Sequence, residues 1–173
     1  MNTEKSKLFK FRTDAFNTFR DLRFYLIISI VVFVLDQLSK RLIEQGIIKI
    51  PYIYNKGAAL GLFRNLDASI RIPFFIIFSI IALIVIVFYM LTVSREEKLT
   101  LLSLSLILGG ACGNFLDRLT SGVVLDFIDT GIWPTFNIAD SAISIGVCIL
   151  IVNTIFIKKE SDNKEVAEKE EGE

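Results

Sequence analysis

Histidine is missing from all 173 residues. Its absence removes the commonest general base, the Ser/His and Cys/His nucleophile pairs, and histidine-bearing zinc sites. Cysteine is almost as scarce. Cys112 and Cys148 both lie inside apolar segments, where ordinary packing explains them better than a disulfide or a metal pair. An excess of either charge is also lacking, since 19 basic residues balance 19 acidic ones. That balance hides an asymmetry: the first 23 positions are rich in Lys and Arg, and the last dozen hold six acidic residues against two basic ones.

What the chain has in abundance is apolar sequence, 53% of its residues, and it falls in blocks. Ile72 to Ser94 is an uncharged run of 23 residues, enough to cross a hydrocarbon core of roughly 30 Å. Leu99 to Leu116 adds 18 residues and Ser141 to Ile157 adds 17. Phe24 to Leu35 supplies only 12 before Asp36, yet continuing to Ile43 makes a full-length helix that carries Asp36 and Lys40. No small-residue cleavage site follows this first block, so it reads as an uncleaved helix and not as a signal peptide. The expected fold is an all-α membrane protein with four transmembrane helices near 24–43, 72–94, 99–117 and 138–157.

Residues 1–23 form a basic, Phe-bearing cytoplasmic extension that has the composition of an amphipathic surface helix or of a plain positive tail. Residues 158–173, with almost no apolar content, are expected to be a disordered acidic tail. Placing both termini in the cytoplasm puts 12 of the 19 basic residues inside, which favours that orientation. The 44–71 loop, "GIIKIPYIYNKGAALGLF" at its centre, is β-branched and aromatic and is punctuated by Pro51, Gly57 and Gly61. It reads as short strands turning at "NKG", a small extracytoplasmic β-rich element between helices 1 and 2.

On this topology the unusual polar residues fall on one side. Asp36 and Lys40 lie in the outer half of helix 1, and Asn55 lies in the outer loop. Asn114, Asp117 and Arg118 end helix 3, Asp126 and Asp129 lie in the next connection, and Asn137 and Asp140 open helix 4. Each has an ordinary reading. Asp36 and Lys40 are i, i+4 partners, Arg118 suits an interfacial anchor, and Asn137 with Asp140 suits a helix cap. None of these readings explains why all the residues share one side, which an active site or a substrate mouth would. Without histidine, paired carboxylates are the best remaining acid/base machinery. Two aspartates about 3 Å apart share one proton, so one acts as base and the other as acid. Asp140 and either Asp126 or Asp129 could meet in this way. A proton-coupled transporter also uses membrane aspartates, but no second polar set continues a path across the bilayer. A metal-dependent transferase would need aspartates clustered at ligand spacing.

The stretches "DQLSK" (36–40), "NKGAALGLF" (55–63), "GGACGNFLDRLTSGVVLDFI" (109–128) and "FNIAD" (136–140) resemble bacterial lipoprotein signal peptidase, also called signal peptidase II. The resemblance covers about residues 24 to 157 and implies a catalytic dyad of Asp126 and Asp140. It implies substrate-binding or supporting roles for Asp36, Lys40, Asn55, Gly57, Asn114, Arg118 and Asn137. Arg118 is expected to orient a carboxylate or the substrate backbone. By resemblance, the chain is an aspartic endopeptidase of the bacterial cytoplasmic membrane that works without a metal or organic cofactor. Its expected substrates are diacylglyceryl-modified prolipoproteins, cut N-terminal to the lipidated lipobox cysteine at the extracytoplasmic side. Membrane lipid is an expected partner and nucleic acid is not. A monomer inhibited by globomycin-type cyclic peptides is expected. The sequence departs from the family at Leu60, where an aromatic is usual, and both termini lie outside the resemblance.

Overall fold

A computed structural model describes residues 2–57, 63 and 65–171, with side chains described from residue 22 to 156 except 58–62 and 64. The described residues form, in order, α1 Asn2–Glu44, β1 Ile53–Asn55, α2 Ala68–Thr92, α3 Lys98–Thr120, β2 Val124–Asp126 and α4 Ile138–Glu171. Among the described residues, four stretches are long and apolar enough to cross a membrane: Leu22–Glu44, Ala68–Thr92, Lys98–Thr120 and Ile138–Phe156.

α3 is the central helix. Its most apolar window is 56% buried, against 11–22% for the other three, and it packs on α1, α2 and α4. Small residues make this possible. A Cβ on Gly109 would stand 2.5 Å from the Ser29 carbonyl oxygen of α1, and one on Gly110 would collide with the Ala139 carbonyl of α4. Lipid gives apolar helices little reason to associate, so close backbone approach and interhelical hydrogen bonds hold them together. Ser29 Oγ supplies one such bond to the Ser105 carbonyl at 2.9 Å, and Asn153 Nδ2 another to Thr100 Oγ1 at 2.9 Å.

Three details differ from the sequence expectation. α2 begins at Ala68 and not at 72, because Arg71 interrupts the apolar run without interrupting the helix; Asp67 caps it by accepting from Ser69 N at 2.8 Å. α1 begins at Asn2 and α4 ends at Glu171, so both helices extend beyond their membrane-crossing stretches. Where disorder was expected, the helix bounds run past residue 157 to Glu171, and the side chains of the acidic segment lie outside the described residues. The β-element also differs. Among the described residues the 44–71 loop contributes one strand, and its partner comes from the α3–α4 connection. β1 and β2 run antiparallel with Ile53 opposite Asp126 and Asn55 opposite Val124. Strand pairing across some 70 residues leaves no local turn signal, so composition pointed to a hairpin instead.

Candidate active site

At the end of the bundle where β1 and β2 meet the helices, five elements deliver polar side chains to one place. α4 opens with Asn137 as its cap. Asn137 Oδ1 accepts from Asp140 N at 2.9 Å, and Asp140 Oδ2 lies 3.4 Å from Asn137 N, a reciprocal arrangement that satisfies orphan amides of the first turn. The cap read from the sequence is therefore present, and it has a second use. The same Asn137 amide donates from Nδ2 to Asp126 Oδ1 at 2.7 Å.

β2 carries Asp126, which is 1% exposed. Its other oxygen, Oδ2, accepts from Asn55 Nδ2 at 2.9 Å. The strand register makes these two diagonal neighbours on one sheet face. Asn55 is itself fixed, because its Oδ1 accepts from the amide of buried Gly57 at 2.8 Å. Asp140 Oδ1 accepts from Asn114 Nδ2 of α3 at 2.7 Å. Asn114 Oδ1 in turn lies 3.2 Å from Asn137 Nδ2, so two amides tie the two aspartates together.

Behind this pair sits a buried ion cluster. Lys40 Nζ lies 2.7 Å from both Asp36 Oδ2 and Asp117 Oδ2, and 3.3 Å from Asn114 Oδ1. Asp36, fully buried, reaches across with Oδ1 to accept from Ala139 N of α4 at 3.0 Å. Asp36 and Lys40 are i, i+4 partners as the spacing predicts, yet they also join α1 to α3 and α4. Lys40 fixes which way the Asn114 amide points, and so directs its N–H to Asp140. Gln37 belongs to this cluster too: its Nε2 donates to Asp117 Oδ1 at 2.9 Å and lies 3.2 Å from the Gly113 carbonyl. Sequence reasoning passed over Gln37, whose only signal was its place between Asp36 and Lys40.

Asp126, Asp140, Asn55, Asn114 and Arg118 all line one open cavity of about 1360 Å³. Arg118 stands over the Phe75 ring at 5.1 Å and donates to the Asn114 carbonyl at 3.3 Å, so its hydrogen bond goes to backbone and not to a carboxylate. Asp129 is exposed and accepts from Gly131 N at 2.8 Å, a turn-forming role outside the cavity. Burial pushes the Asp126 carboxyl up to about 6. Its hydrogen bonds from Asn55 and Asn137 pull the other way, while the neighbouring Asp140 charge adds to the rise. A carboxyl titrating there holds or releases a proton near neutral pH, as acid/base work requires. Among the described residues, no three His, Cys, Asp or Glu side chains gather in the geometry of a metal site.

A family described as Signal peptidase (SPase) II matches this sequence over residues 28–156. The lipoprotein signal peptidase of Francisella tularensis subsp. novicida is 40% identical over 152 residues, covering 79% of this chain and 94% of its own length. That of Aquifex aeolicus is 41% identical over 147 residues, covering 78% of this chain and 87% of its own. A solved structure described as a bacterial membrane enzyme, obtained in meso at 2.3 Å, superposes with a TM-score of 0.69 at 34% identity. That superposition covers 81% of this chain and 90% of the other. Sequence match and architecture agree, and the chain belongs to the signal peptidase II family.

Proposed function

We propose that this chain is an intramembrane aspartic endopeptidase that removes signal peptides from diacylglyceryl-modified prolipoproteins, cutting N-terminal to the lipidated lipobox cysteine. The observation that supports this reading best is the pair Asp126 and Asp140, joined through Asn114 and Asn137 on the wall of one cavity at the end of the bundle. Residues 24–157 form the catalytic unit in this reading.

In the working state the pair holds one proton. The ionised aspartate takes a proton from a water, whose oxygen bonds to the scissile carbonyl carbon. The protonated aspartate gives its proton to the carbonyl oxygen, producing a neutral gem-diol. The pair, still holding one proton, then protonates the amide nitrogen and takes a proton back from a diol hydroxyl. The C–N bond breaks, leaving a carboxylic acid on the signal peptide and a free amine on the lipidated cysteine. Asn55, Asn114 and Asn137 hold the carboxylates in register, and Lys40 with Asp36 holds Asn114 and the start of α4. Gly57 fixes Asn55, and Arg118 at the cavity wall stabilises peptide carbonyl oxygens of the substrate.

The enzyme acts as a monomer in the bacterial cytoplasmic membrane, with both termini in the cytoplasm and the dyad on the outer side. Globomycin-type cyclic peptides occupy the same cavity. The test is cleavage of a diacylglyceryl-modified prolipoprotein by purified protein with excess chelator. Asp126→Asn and Asp140→Asn are each expected to lower the rate by roughly 10²–10⁴-fold while remaining folded. Persistent cleavage by either variant would remove that aspartate from the chemistry, and chelator-sensitive cleavage would overturn the aspartic mechanism.

A further inference from the structure

The most exposed large apolar side chain on the described surface is Ile132, at 94%, and the chain's single tryptophan, Trp133, follows it at 64%. Neither lies on a membrane-crossing helix. Both occupy the tip of the α3–α4 connection, and that tip is built to stay extended. Its base is closed by a bridge in which Phe127 N and Ile128 N both donate to the Phe136 carbonyl, at 3.0 and 2.8 Å, and Phe136 N donates back to the Ile128 carbonyl at 3.1 Å. Gly131 turns the chain with φ at +74°, a left-handed value that glycine adopts freely, and Asp129 braces the turn by accepting from the Gly131 amide. Pro134 follows and fixes φ on the far side. A stiff tip ending in Ile and Trp keeps its apolar surface on display.

The position of the tip identifies its occupant. The segment runs between the end of α3 at Thr120 and the start of α4 at Ile138, so it lies at a membrane–water boundary. Ile132, Trp133 and Pro134 share a cavity wall with Ile143 and Ile145 of α4. Ile145 is seven residues inside that helix, a depth of roughly 10 Å at 1.5 Å per residue. It is 55% exposed and begins an apolar face continued by exposed Val152 and Ile155 along a helix apolar enough to cross a membrane. The tip thus prolongs a lipid-facing surface. Its stretch "TGIWPTF" carries no charge, so attraction to anionic headgroups contributes nothing.

We propose that residues 131–134 are a membrane anchor in which Ile132 and Trp133 insert into the adjacent leaflet at its headgroup–acyl boundary, independently of substrate. Trp is suited to that depth, with an apolar ring and a polar N–H. Insertion pins the β-element to the bilayer and holds the edge of the cavity at the membrane surface. This inference does not depend on the cleavage chemistry.

Because Trp133 is the only tryptophan, its fluorescence reports the tip alone. The full chain would be reconstituted without substrate in phosphatidylcholine vesicles containing lipids brominated either near the headgroup or near the chain end. Blue-shifted emission is expected, quenched at least about twofold more by the shallow bromines than by the deep ones, and little affected by aqueous iodide. Adding phosphatidylglycerol or salt should change none of this. Ile132→Asp, which leaves the reporter in place, should reduce lipid quenching and restore iodide access. Iodide-accessible emission with no lipid quenching in the wild type would overturn the proposal. Burial that appears only when a signal-peptide helix is added would also overturn it, and would make the tip a substrate contact instead.

Discussion

Between about pH 4 and pH 6 the Asp126 carboxyl keeps its proton in the folded chain and loses it in the unfolded one, because burial pushes it up to about 6 from an ordinary 3.8. Through that window the native state binds more protons than the unfolded state, so this group's contribution to stability falls as pH rises. Above it the group remains destabilising in full. Asp126→Asn imitates the protonated form at every pH. Its Tm in detergent is expected to exceed that of the wild type at pH 7, with the difference closing as pH is lowered through the window. Equal Tm values at pH 7 would mean that the ionised carboxylate is already well accommodated. A related test concerns Asn55, whose Nδ2 bond to Asp126 Oδ2 favours the ionised form. Asn55→Ala should raise the Asp126 carboxyl further and move the limb of the pH–rate profile that reports it towards alkaline pH. A limb that stays in place would separate Asn55 from this titration.

Helix packing converts these local contacts into a scaffold. α1, α3 and α4 meet where Lys40 bridges Asp36 and Asp117 and where Asp36 accepts from the first turn of α4. Lys40→Met removes the cation that pairs with both Asp36 and Asp117 and leaves two carboxylates without it. A loss of about 3–5 kcal/mol is expected, read as a fall in Tm together with a fall in activity. Glycines set how closely the helices approach. A Cβ at Gly113 would stand 2.5 Å from Asp36 Oδ2, a side-chain atom, whereas one at Gly110 would meet the Ala139 backbone carbonyl. Backbone yields less than a side chain, so Gly110→Ala should unfold the bundle at a lower temperature than Gly113→Ala. Equal effects would mean that α4 can slide along α3. The helices themselves were legible in the sequence, since crossing lipid demands long uncharged runs such as 72–94 that few other structures need. The cap at Asn137 and Asp140 was legible for the same local reason. The pairing of β1 with β2 was not, nor was the reach of Asp36 to Ala139, because both join residues far apart in sequence without a local signature. Gln37 escaped notice because a glutamine beside two charges has no pattern of its own. Asp126 and Asp129 could not be separated by spacing; strand register puts the first beside Asn55 and Asn137, and a turn takes the second.

Across the whole molecule, chemistry-bearing residues gather at one end while the opposite end carries flanking charges and two charged helical extensions. An even number of crossings returns both termini to one side, so orientation decides which compartment the cavity meets. Basic residues tend to stay in the cytoplasm, and 12 of the 19 lie in the segments that share a side with the termini. Thr130, exposed at the cavity end, is a suitable reporter. In a Cys112→Ala, Cys148→Ala background that retains activity, Thr130→Cys should react with a membrane-impermeant maleimide in intact cells whose outer barrier has been opened. A cysteine placed beyond residue 173 should react only after the inner membrane is permeabilised. The reverse pattern would put the cavity in the cytoplasm. A prolipoprotein cut there would be cleaved on the side from which export begins, before its lipid is anchored across the membrane, and the proposed substrate would have to be abandoned with the orientation.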